Sequence, residues 1–338
     1  MRLIEQVWFQ SNRAKWLVVP VLFPLSLLFM ALTGLRRALY KTAAFKSYQV
    51  TKPVVVVGNI GIGGNGKTPV VLYLVEQCIK LGIKPGVLSR GYGGEAPHYP
   101  YLLDDSSTAM AAGDEPILIY KRSGVPVVVG SDRVASAKLL IEQGCDVLIA
   151  DDGLQHYRLA RDLELLVVDG NRLFGNGLLL PAGPLREGQW RLASVDAVIV
   201  NGGDNQTKPL SDNSMTLALE AEQVCHLLTG EQQSIGDFLK QYPEVNALAG
   251  IGDPSRFFNT LTREKFQLNQ QQAFVDHHNF TEHDFIDFDE TLPLLMTEKD
   301  AVKCRAFAQQ HWWYVPVNSK IPAEHQANLL AKINSLTV

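Results

Sequence analysis

Cysteine is scarce in this chain and is not grouped. The 338 residues include four cysteines, and no two of them form a C-x-x-C pair. No histidine stands near a cysteine at a spacing that suits a zinc site. These absences exclude a structural zinc site and a disulfide framework, and they favour a reducing compartment.

An excess of charge of either sign is also missing. Charged residues make up 20% of the chain and the formal net charge is −4, so there is no basic field of the kind that attracts nucleic acid. We therefore expect no nucleic-acid partner, and no obligate protein partner is evident. The sequence has no internal repeat, and its length is enough for two domains with an ample core.

One stretch lacks charge altogether. Residues 16–34 read WLVVPVLFPLSLLFMALTG, close to the length of about 20 apolar residues that spans a bilayer. Pro20 and Pro24 would each cost about 3 kcal/mol inside a water-exposed helix, whereas membranes tolerate them more easily. Basic residues flank the stretch and suit anionic lipid headgroups: Arg13, Lys15, Arg36, Arg37 and Lys41.

This pattern predicts a membrane-associated helical segment within residues 1–45. A spanning helix, a hairpin or tilted insertion, and an interfacial anchor all remain open. The competing interpretation is a buried core helix.

The most informative stretch runs from residue 54 to residue 77. Four valines predict a buried strand, and the pattern G-x-x-x-x-G-K-[ST] follows, with helix-compatible apolar spacing after it. A glycine-rich loop between a strand and a helix binds nucleotide phosphates through backbone N–H groups and the helix dipole. The predicted nucleotide-binding residues are Gly61, Gly63, Gly64, Asn65, Gly66, Lys67 and Thr68.

Within this loop, Lys67 is expected to reach the β- and γ-phosphates of a nucleotide triphosphate. The hydroxyl of Thr68 is expected to bind Mg²⁺. A second buried apolar strand, residues 146–151, ends in Asp151 and Asp152. Carboxylates at such a strand end typically hold Mg²⁺ directly or through water.

Two acidic residues, Asp114 and Glu115, precede a proline in the segment GDEP. Taken alone, they are better explained as helix-capping residues than as catalytic residues. Arg186 and Glu187 end the segment LPAGPLRE. Arginine suits the charge that develops on a transferring phosphoryl group, although a surface Arg–Glu pair would look the same.

Other classes of nucleotide-binding protein fit less well. A GTPase would carry [NT]-K-x-D to read guanine, and in the string from Thr297 to Asp300 the lysine comes one place late. A partitioning-type ATPase would need a lysine where Ile62 stands. A kinase needs a group that accepts the proton of the acceptor hydroxyl, for which Asp114, Glu115, Asp276 and His277 are candidates.

The alternation of strands and helices predicts an α/β fold, a P-loop NTPase-type mostly parallel sheet flanked by helices, with a smaller C-terminal α/β lobe. The composition turns polar in residues 202–213, GGDNQTKPLSDN, which we interpret as a boundary. The expected domains are residues 1–45, 46–205 and 206–338.

Seven motifs occur together and in order: GNIGIGGNGKTP, SRGYGG, GDEP, ADDGLQH, LPAGPLRE, DHH-x-F and TEKDAVK. With the apolar N-terminal helix, they resemble the lipid A 4′-kinase (tetraacyldisaccharide 4′-kinase) family of Gram-negative bacteria. The resemblance extends to about Lys303 and is weakest in residues 202–243.

That resemblance implies transfer of the ATP γ-phosphate to the 4′-hydroxyl of a tetraacylated disaccharide 1-phosphate lipid. It also implies Mg²⁺ dependence and a location at the cytoplasmic face of the bacterial inner membrane. The alternative function is a membrane-tethered P-loop ATPase or switch that phosphorylates no lipid.

The resemblance also assigns roles to residues. Asp114 would be the base, paired with His277 rather than its neighbour His278, and this overrides the capping interpretation. Arg186 would stabilise the transferring phosphoryl group. The metal would be served by Thr68, Asp151, Asp152, Glu115 and Glu187.

Overall fold

The computed structural model describes residues 3–10, 12–203 and 209–337. In chain order the helices are α1 (Leu3–Phe9), α2 (Lys15–Lys41), α3 (Lys67–Lys80), α4 (Ala109–Ala112), α5 (Asp114–Ser123), α6 (Arg133–Glu142), α7 (Ile235–Gln241), α8 (Pro254–Arg263), α9 (Glu298–Cys304) and α10 (Ala323–Thr337). Short 3₁₀ turns cover Gln189–Ser194, Glu282–Phe285 and Arg305–Phe307.

The strands are β1 (Val54–Gly58), β2 (Pro85–Ser89), β3 (Tyr101–Leu102), β4 (Val127–Val129), β5 (Val147–Asp151), β6 (Leu163–Asp169), β7 (Ala197–Asn201), β8 (Ser214–Glu220), β9 (Gln223–His226), β10 (Gln232–Ser234), β11 (Glu244–Ala249), β12 (Gln267–Ala273), β13 (Leu294–Thr297), β14 (Trp312–Val315) and β15 (Asn318–Lys320).

The chain packs into two compact units. The first comprises Met1–Arg90, Val125–Ala218 and Ile321–Val338, and the second comprises Gly91–Gly124 and Leu219–Lys320. Packing thus groups residues 91–124 with the C-terminal half. It groups the last helix with the first unit, which contains the glycine-rich loop at residues 61–68 (the phosphate loop) and is called the phosphate-loop unit below. The predicted boundary between residues 205 and 206 lies outside the described residues, and the three sequence domains stay a prediction.

Seven parallel strands form the sheet of the first unit, in the order β8-β7-β6-β1-β5-β2-β4. Strands β1, β2, β5 and β7 are buried along their whole length, as expected of a parallel sheet covered on both faces. From β1 the chain runs to β2 and β4 on one side, returns to β5 beside β1, and then continues through β6, β7 and β8 on the other side. The phosphate loop after β1 therefore lies where the direction of winding changes. This is the edge of an open parallel sheet where ligands bind.

The second unit has a smaller, mixed sheet in the order β10-β9-β14-β13-β11-β12. Its strands β11–β14 pair in parallel, whereas β9 and β10 pair antiparallel. The predicted α/β class, with a mostly parallel main sheet and a smaller lobe, is confirmed. The sequence favours a strand at the apolar residues 273–275, which is wrong, because the strand in this region, β12, begins at Gln267 and ends at Ala273.

The N-terminal apolar stretch forms one continuous helix, α2, of 27 residues with Pro20 and Pro24 inside it. Of the helices in the described ranges, α2 alone is long and apolar enough to cross a membrane, and only 6% of its apolar window is buried. The interpretation as a buried core helix is therefore wrong, because this helix leaves its apolar side chains exposed. A helical hairpin is excluded as well, since the helix runs without a break from Lys15 to Lys41.

Candidate active site

The phosphate loop connects the buried strand β1 to helix α3 in the first unit. Gly66 precedes α3 with φ +81°, a left-handed conformation that favours glycine. A Cβ atom on Gly66 would lie 1.9 Å from Nδ2 of Asn201. That amide group donates a hydrogen bond of 3.3 Å to the carbonyl oxygen of Asn65. Asn201, at the end of β7, therefore fixes the shape of the loop, a role that the sequence did not reveal.

The N-terminus of α3 has the features of an anion site. The helix begins at Lys67, and no side chain caps its first-turn N–H groups. Gly63 and Gly64 are exposed in front of it, and the half-buried Thr68 lies in its first turn. Uncapped amides at a helix N-terminus bind phosphate readily, so the loop fits a nucleotide.

Asp152 lies between two cations next to this loop. Lys67 Nζ is 3.4 Å from Asp152 Oδ1, and Arg186 donates hydrogen bonds of 3.0 and 3.2 Å to the two carboxylate oxygens. Burial opposes ionisation of Asp152. The charge of Lys67 and the hydrogen bond from Arg186 outweigh it and hold the pKa of Asp152 well below its ordinary value. The three predicted residues thus form one cluster in the first unit.

Arg186 and Asn59 also present donors without partners. Arg186 Nη2 donates to Asn59 Oδ1, and the backbone N–H of Arg186 donates to Ile60 O at 2.6 Å. Within the described part of the chain, Nε of Arg186 and Nδ2 of Asn59 are buried and have no hydrogen-bond partner. Buried donors normally have partners, so these two suit an anionic ligand such as a nucleotide phosphate.

Asp151 is buried at the end of β5, one residue before Asp152. Ser89 Oγ lies 3.5 Å from its Oδ2 atom, and Arg133 Nη2 donates to its backbone carbonyl at 2.8 Å. Arg133 is itself buried, on the first turn of α6. It supports the strand end that carries both aspartates, and no motif in the sequence identified it.

The donor set near the loop suits Mg²⁺ only in part. Thr68, Asp151 and Asp152 offer the oxygen ligands that Mg²⁺ prefers. Across residues 3–10, 12–203 and 209–337, no group of three or more His, Cys, Asp and Glu side chains could hold a metal. Because Mg²⁺ commonly takes one or two carboxylates together with phosphate oxygens and water, these residues fit a metal that arrives with a nucleotide.

Glu187 lies in a different environment from the other predicted metal ligands. Its carboxylate accepts hydrogen bonds from Tyr157 Oη and, at 3.0 Å, from Arg191 Nε. Arg191 in turn donates to Glu164 at 2.7 Å. Both oxygens of Glu187 are therefore engaged in a buried polar network, which favours a structural role.

The second unit brings Asp114 and His277 together across 163 residues of sequence. His277 Nδ1 is 3.1 Å from each carboxylate oxygen of Asp114, the first residue of α5. Asp114 Oδ1 also accepts a hydrogen bond from its neighbour Glu115 N at 3.0 Å. Asp114 is buried, and one third of the His277 side chain is exposed (33%). A buried carboxylate paired with an accessible imidazole is an arrangement suited to proton transfer.

The two side chains shift each other's proton affinity. Burial raises the pKa of Asp114, but the hydrogen bond from His277 and the charge of Lys299 outweigh burial and hold that pKa below its ordinary value. The hydrogen bond to Asp114 raises the pKa of His277, against the effect of burial. Asp114 is therefore ionised at neutral pH and can accept a proton.

Lys299 is the residue of this site that sequence reasoning missed. Its Nζ lies 3.1 Å from Glu115, 3.2 Å from Asp276 and 3.8 Å from Asp114. Burial alone would lower the pKa of Lys299, but the three carboxylates raise it well above its ordinary value. Its motif, TEKDAVK, gave the signal that could have identified it. Glu115, a predicted metal ligand, lies beside this cation.

The neighbouring histidine, His278, has other contacts. Its Nε2 is 3.3 Å from Asp284, which completes a capping box with Thr281. Its ring packs against Phe274 at a centroid distance of 4.6 Å. Of the two histidines, His277 is thus the one that contacts Asp114.

Comparison with known proteins gives one consistent result. The family model described as tetraacyldisaccharide-1-P 4′-kinase matches residues 18–334. A tetraacyldisaccharide 4′-kinase of Colwellia psychrerythraea is 62% identical over 320 residues, which cover 94% of this chain and 93% of that protein. A tetraacyldisaccharide 4′-kinase of Aeromonas salmonicida is 50% identical over 337 residues, which cover 99% of this chain and 98% of that protein.

A solved structure is similar as well. The crystal structure of the "apo" form of LpxK from Aquifex aeolicus in complex with ATP superimposes with a TM-score of 0.77. The sequences are 29% identical, and the match covers 94% of this chain and 98% of the other.

Proposed function

The chain belongs to the tetraacyldisaccharide-1-P 4′-kinase family, and on this premise we propose that it transfers the γ-phosphoryl group of ATP to the 4′-hydroxyl of a tetraacyldisaccharide 1-phosphate lipid. It is a lipid kinase of lipid A biosynthesis. The observation that carries the catalytic proposal is the contact of Asp114 with His277 at 3.1 Å, because a hydroxyl acceptor requires a base.

On the donor side, ATP supplies the phosphoryl group when bound. The uncapped amides of α3 and the ammonium group of Lys67 would hold its phosphates, as the fit of the loop suggests. Arg186 would then exchange part of its pairing with Asp152 for the charge on the transferring group. The match to a structure solved with ATP supports the choice of nucleotide.

Mg²⁺ would be held by Thr68, Asp151 and Asp152 together with phosphate oxygens, and it would neutralise the charge between the phosphates. Both oxygens of Asp152 already pair with Lys67 and Arg186. The metal would therefore replace part of this pairing. Glu115 and Glu187 remain weaker candidates, since Lys299 holds the first, and Tyr157 and Arg191 hold the second.

On the acceptor side, Asp114 would take the proton of the 4′-hydroxyl. His277 would orient the carboxylate and share the proton through Nδ1. Lys299 would keep the carboxylate ionised, because its charge lowers the pKa of Asp114.

The location follows from the substrate. A lipid with four acyl chains leaves a bilayer only at a cost of about 0.8 kcal/mol per buried methylene group, so the enzyme must work at the membrane. The exposed apolar helix α2 supports membrane association. We assign the protein to the bacterial inner membrane with its site on the cytoplasmic side, where ATP is available.

One assay separates this function from that of a membrane-tethered ATPase or switch. The protein is incubated with γ-labelled ATP, Mg²⁺ and the disaccharide lipid in detergent micelles. Label on the lipid is expected. Label found only as free phosphate would instead favour the ATPase, and a Lys67→Ala variant controls for contaminating activity.

A further inference from the structure

Helix α2 has one buried residue, Ser26, and it lies near the middle of the helix. Ser26 Oγ donates a hydrogen bond to Leu179 O at 3.0 Å and accepts one from Ala182 N at 2.9 Å. Leu179 and Ala182 belong to the loop before Arg186, within the same unit. The centre of the apolar helix is thus fastened to an irregular segment of the kinase core.

The chain that precedes α2 is fastened to the same loop. Trp8, on α1, donates its indole N–H to Pro181 O at 3.1 Å. The guanidinium group of Arg172 lies 5.5 Å from the centre of the Phe9 ring. Contacts on both sides of residues 15–25 therefore return to one loop of the first unit.

The second half of α2 continues along that unit. The guanidinium group of Arg37 stacks 3.7 Å from the ring centre of Trp190, and the rings of Tyr40 and Tyr157 are 5.8 Å apart. Between the contacts of Trp8 and Phe9 and the contact of Ser26, only residues 15–25 of α2 are not fastened to the unit. They form about 16 Å of helix at 1.5 Å per residue. The hydrocarbon core of a bilayer is about 30 Å thick.

From these contacts we infer that α2 does not cross the bilayer. It lies in the interface of one leaflet, with its free apolar face in the lipid and the loop at residues 179–182 at the membrane surface. A crossing helix would place its two ends on opposite sides and would carry the irregular loop to the hydrocarbon midplane, where exposed backbone polar groups are not tolerated. This inference rests on the proposed membrane location of the kinase.

The surface around α2 has a composition that suits binding to a leaflet of anionic lipids. Exposed apolar side chains cover the free face of the helix: Trp16, Leu17, Val21, Phe23, Leu25 and Leu28. Between Glu5 and Val50 the sequence contains no acidic residue, while lysine or arginine occurs at six positions. Apolar residues beside basic residues are the composition of interfacial helices.

Cysteine labelling in sealed membrane vesicles tests the orientation. The full chain already carries four cysteines, all buried, so it serves as the unlabelled parent. Single variants Lys15→Cys and Lys41→Cys mark the two ends of α2, and Lys80→Cys marks the exposed surface of the kinase unit. Inverted and right-side-out vesicles are treated with a membrane-impermeant maleimide.

All three variants are expected to react from the same side of the membrane. Labelling of Lys15→Cys only from the side opposite to Lys80→Cys would overturn the inference. Kinase activity of each variant on the micellar lipid is measured separately. A failure of the proposed function would remove lipid labelling in micelles and leave the vesicle result unchanged.

A binding assay tests whether an anionic lipid surface is the partner of α2. The purified full chain is sedimented with vesicles of phosphatidylglycerol or of phosphatidylcholine. At least tenfold tighter binding to phosphatidylglycerol, weakened by salt, is expected. Equal binding to both lipids, or binding to neither, would contradict an anionic interface as the partner.

Discussion

At the scale of single residues, the proposed acceptor chemistry depends on how one carboxylate is kept charged while buried. Asp114 is desolvated, and the hydrogen bond from His277 and the charge of Lys299 offset that desolvation. Lys299 also lies beside Glu115 and Asp276, so three carboxylates surround one lysine. Removing either partner should therefore change the chemistry more than the fold.

Replacing Asp114 with asparagine tests the base. The amide has the same shape and accepts no proton, so kcat should fall by about 10² to 10⁴, with little change in the KM for ATP. Asp284→Asn is the matched control, because that carboxylate in the same unit contacts His278 instead of His277. Steady-state kinetics with the micellar lipid measure both, and an unchanged kcat in Asp114→Asn would remove it as the base.

Replacing Lys299 with methionine tests the electrostatic role of that cation. Because Lys299 lowers the pKa of Asp114, its loss should raise that pKa, and more of Asp114 should be protonated and inactive at low pH. The acidic limb of the kcat profile should therefore move to higher pH. Lys299→Arg should keep the limb of the wild-type enzyme, whereas a methionine variant with equally reduced activity at every pH would indicate a structural role alone.

Local sequence patterns identified most of these residues but not their pairing, which came only from the resemblance to the lipid A 4′-kinase family. Asp114 appeared as a capping residue from local pattern, because its partner His277 lies 163 positions away and no local rule connects them. Asn201, Arg133 and Lys299 were missed for a similar reason. Each acts through a contact with a distant strand or helix.

At the scale of elements, the buried strands were the easiest to predict. β1, β5 and β7 are continuous apolar runs up to their last residue, as expected of strands covered on both faces. β12 was misplaced because its sequence, QLNQQQA, belongs to an exposed edge strand and carries no apolar signal. Strand pairing in three dimensions, rather than propensity, makes this segment a strand.

The phosphate loop gives a prediction at this scale. In Gly66→Ala the new methyl group would meet Nδ2 of Asn201 at 1.9 Å and would occupy a left-handed conformation. That conformation alone costs about 1–2 kcal/mol, so ATP affinity should fall by about tenfold or more. Titration calorimetry with ATP measures the loss.

Two further variants make that test specific. Asn201→Ala in the Gly66→Ala background removes the clash and should restore part of the affinity, because the backbone strain and the loss of the hydrogen bond to Asn65 O then remain. Gly236→Ala, in helix α7, has no atom closer than 4.0 Å to its new methyl group and should bind ATP normally. Wild-type affinity in Gly66→Ala would show that the loop tolerates a side chain there.

At the scale of the whole molecule, segments that are distant in the sequence pack into the same unit. The C-terminal helix α10 belongs to the phosphate-loop unit, where Gln326 Nε2 donates to Gln77 Oε1 at 3.2 Å and Lys332 donates to Asp196 O at 3.1 Å. Residues at the end of the sequence thus support the site near its beginning.

Leu329→Ala should therefore destabilise the phosphate-loop unit. Leu329 is 2% exposed, and truncating a buried leucine costs about 2–5 kcal/mol. Thermal unfolding measures the loss, and the exposed Asn328→Ala on the same helix should change the midpoint little. Equal midpoints for the two variants would show that α10 contributes no packing to the unit.

The hydrogen bonds of Ser26 to residues 179–182 also have a consequence for the synthesis of the protein on the ribosome. Ser26 leaves the ribosome 153 residues before Leu179, its hydrogen-bond partner. At 5–20 residues per second this delay lasts roughly 8–30 s, longer than helix formation takes by many orders of magnitude. During that time the exposed apolar helix is part of the nascent chain while residues 179–182 have not yet been translated. We therefore expect a membrane surface or a chaperone to bind this helix until about half of the protein has been made.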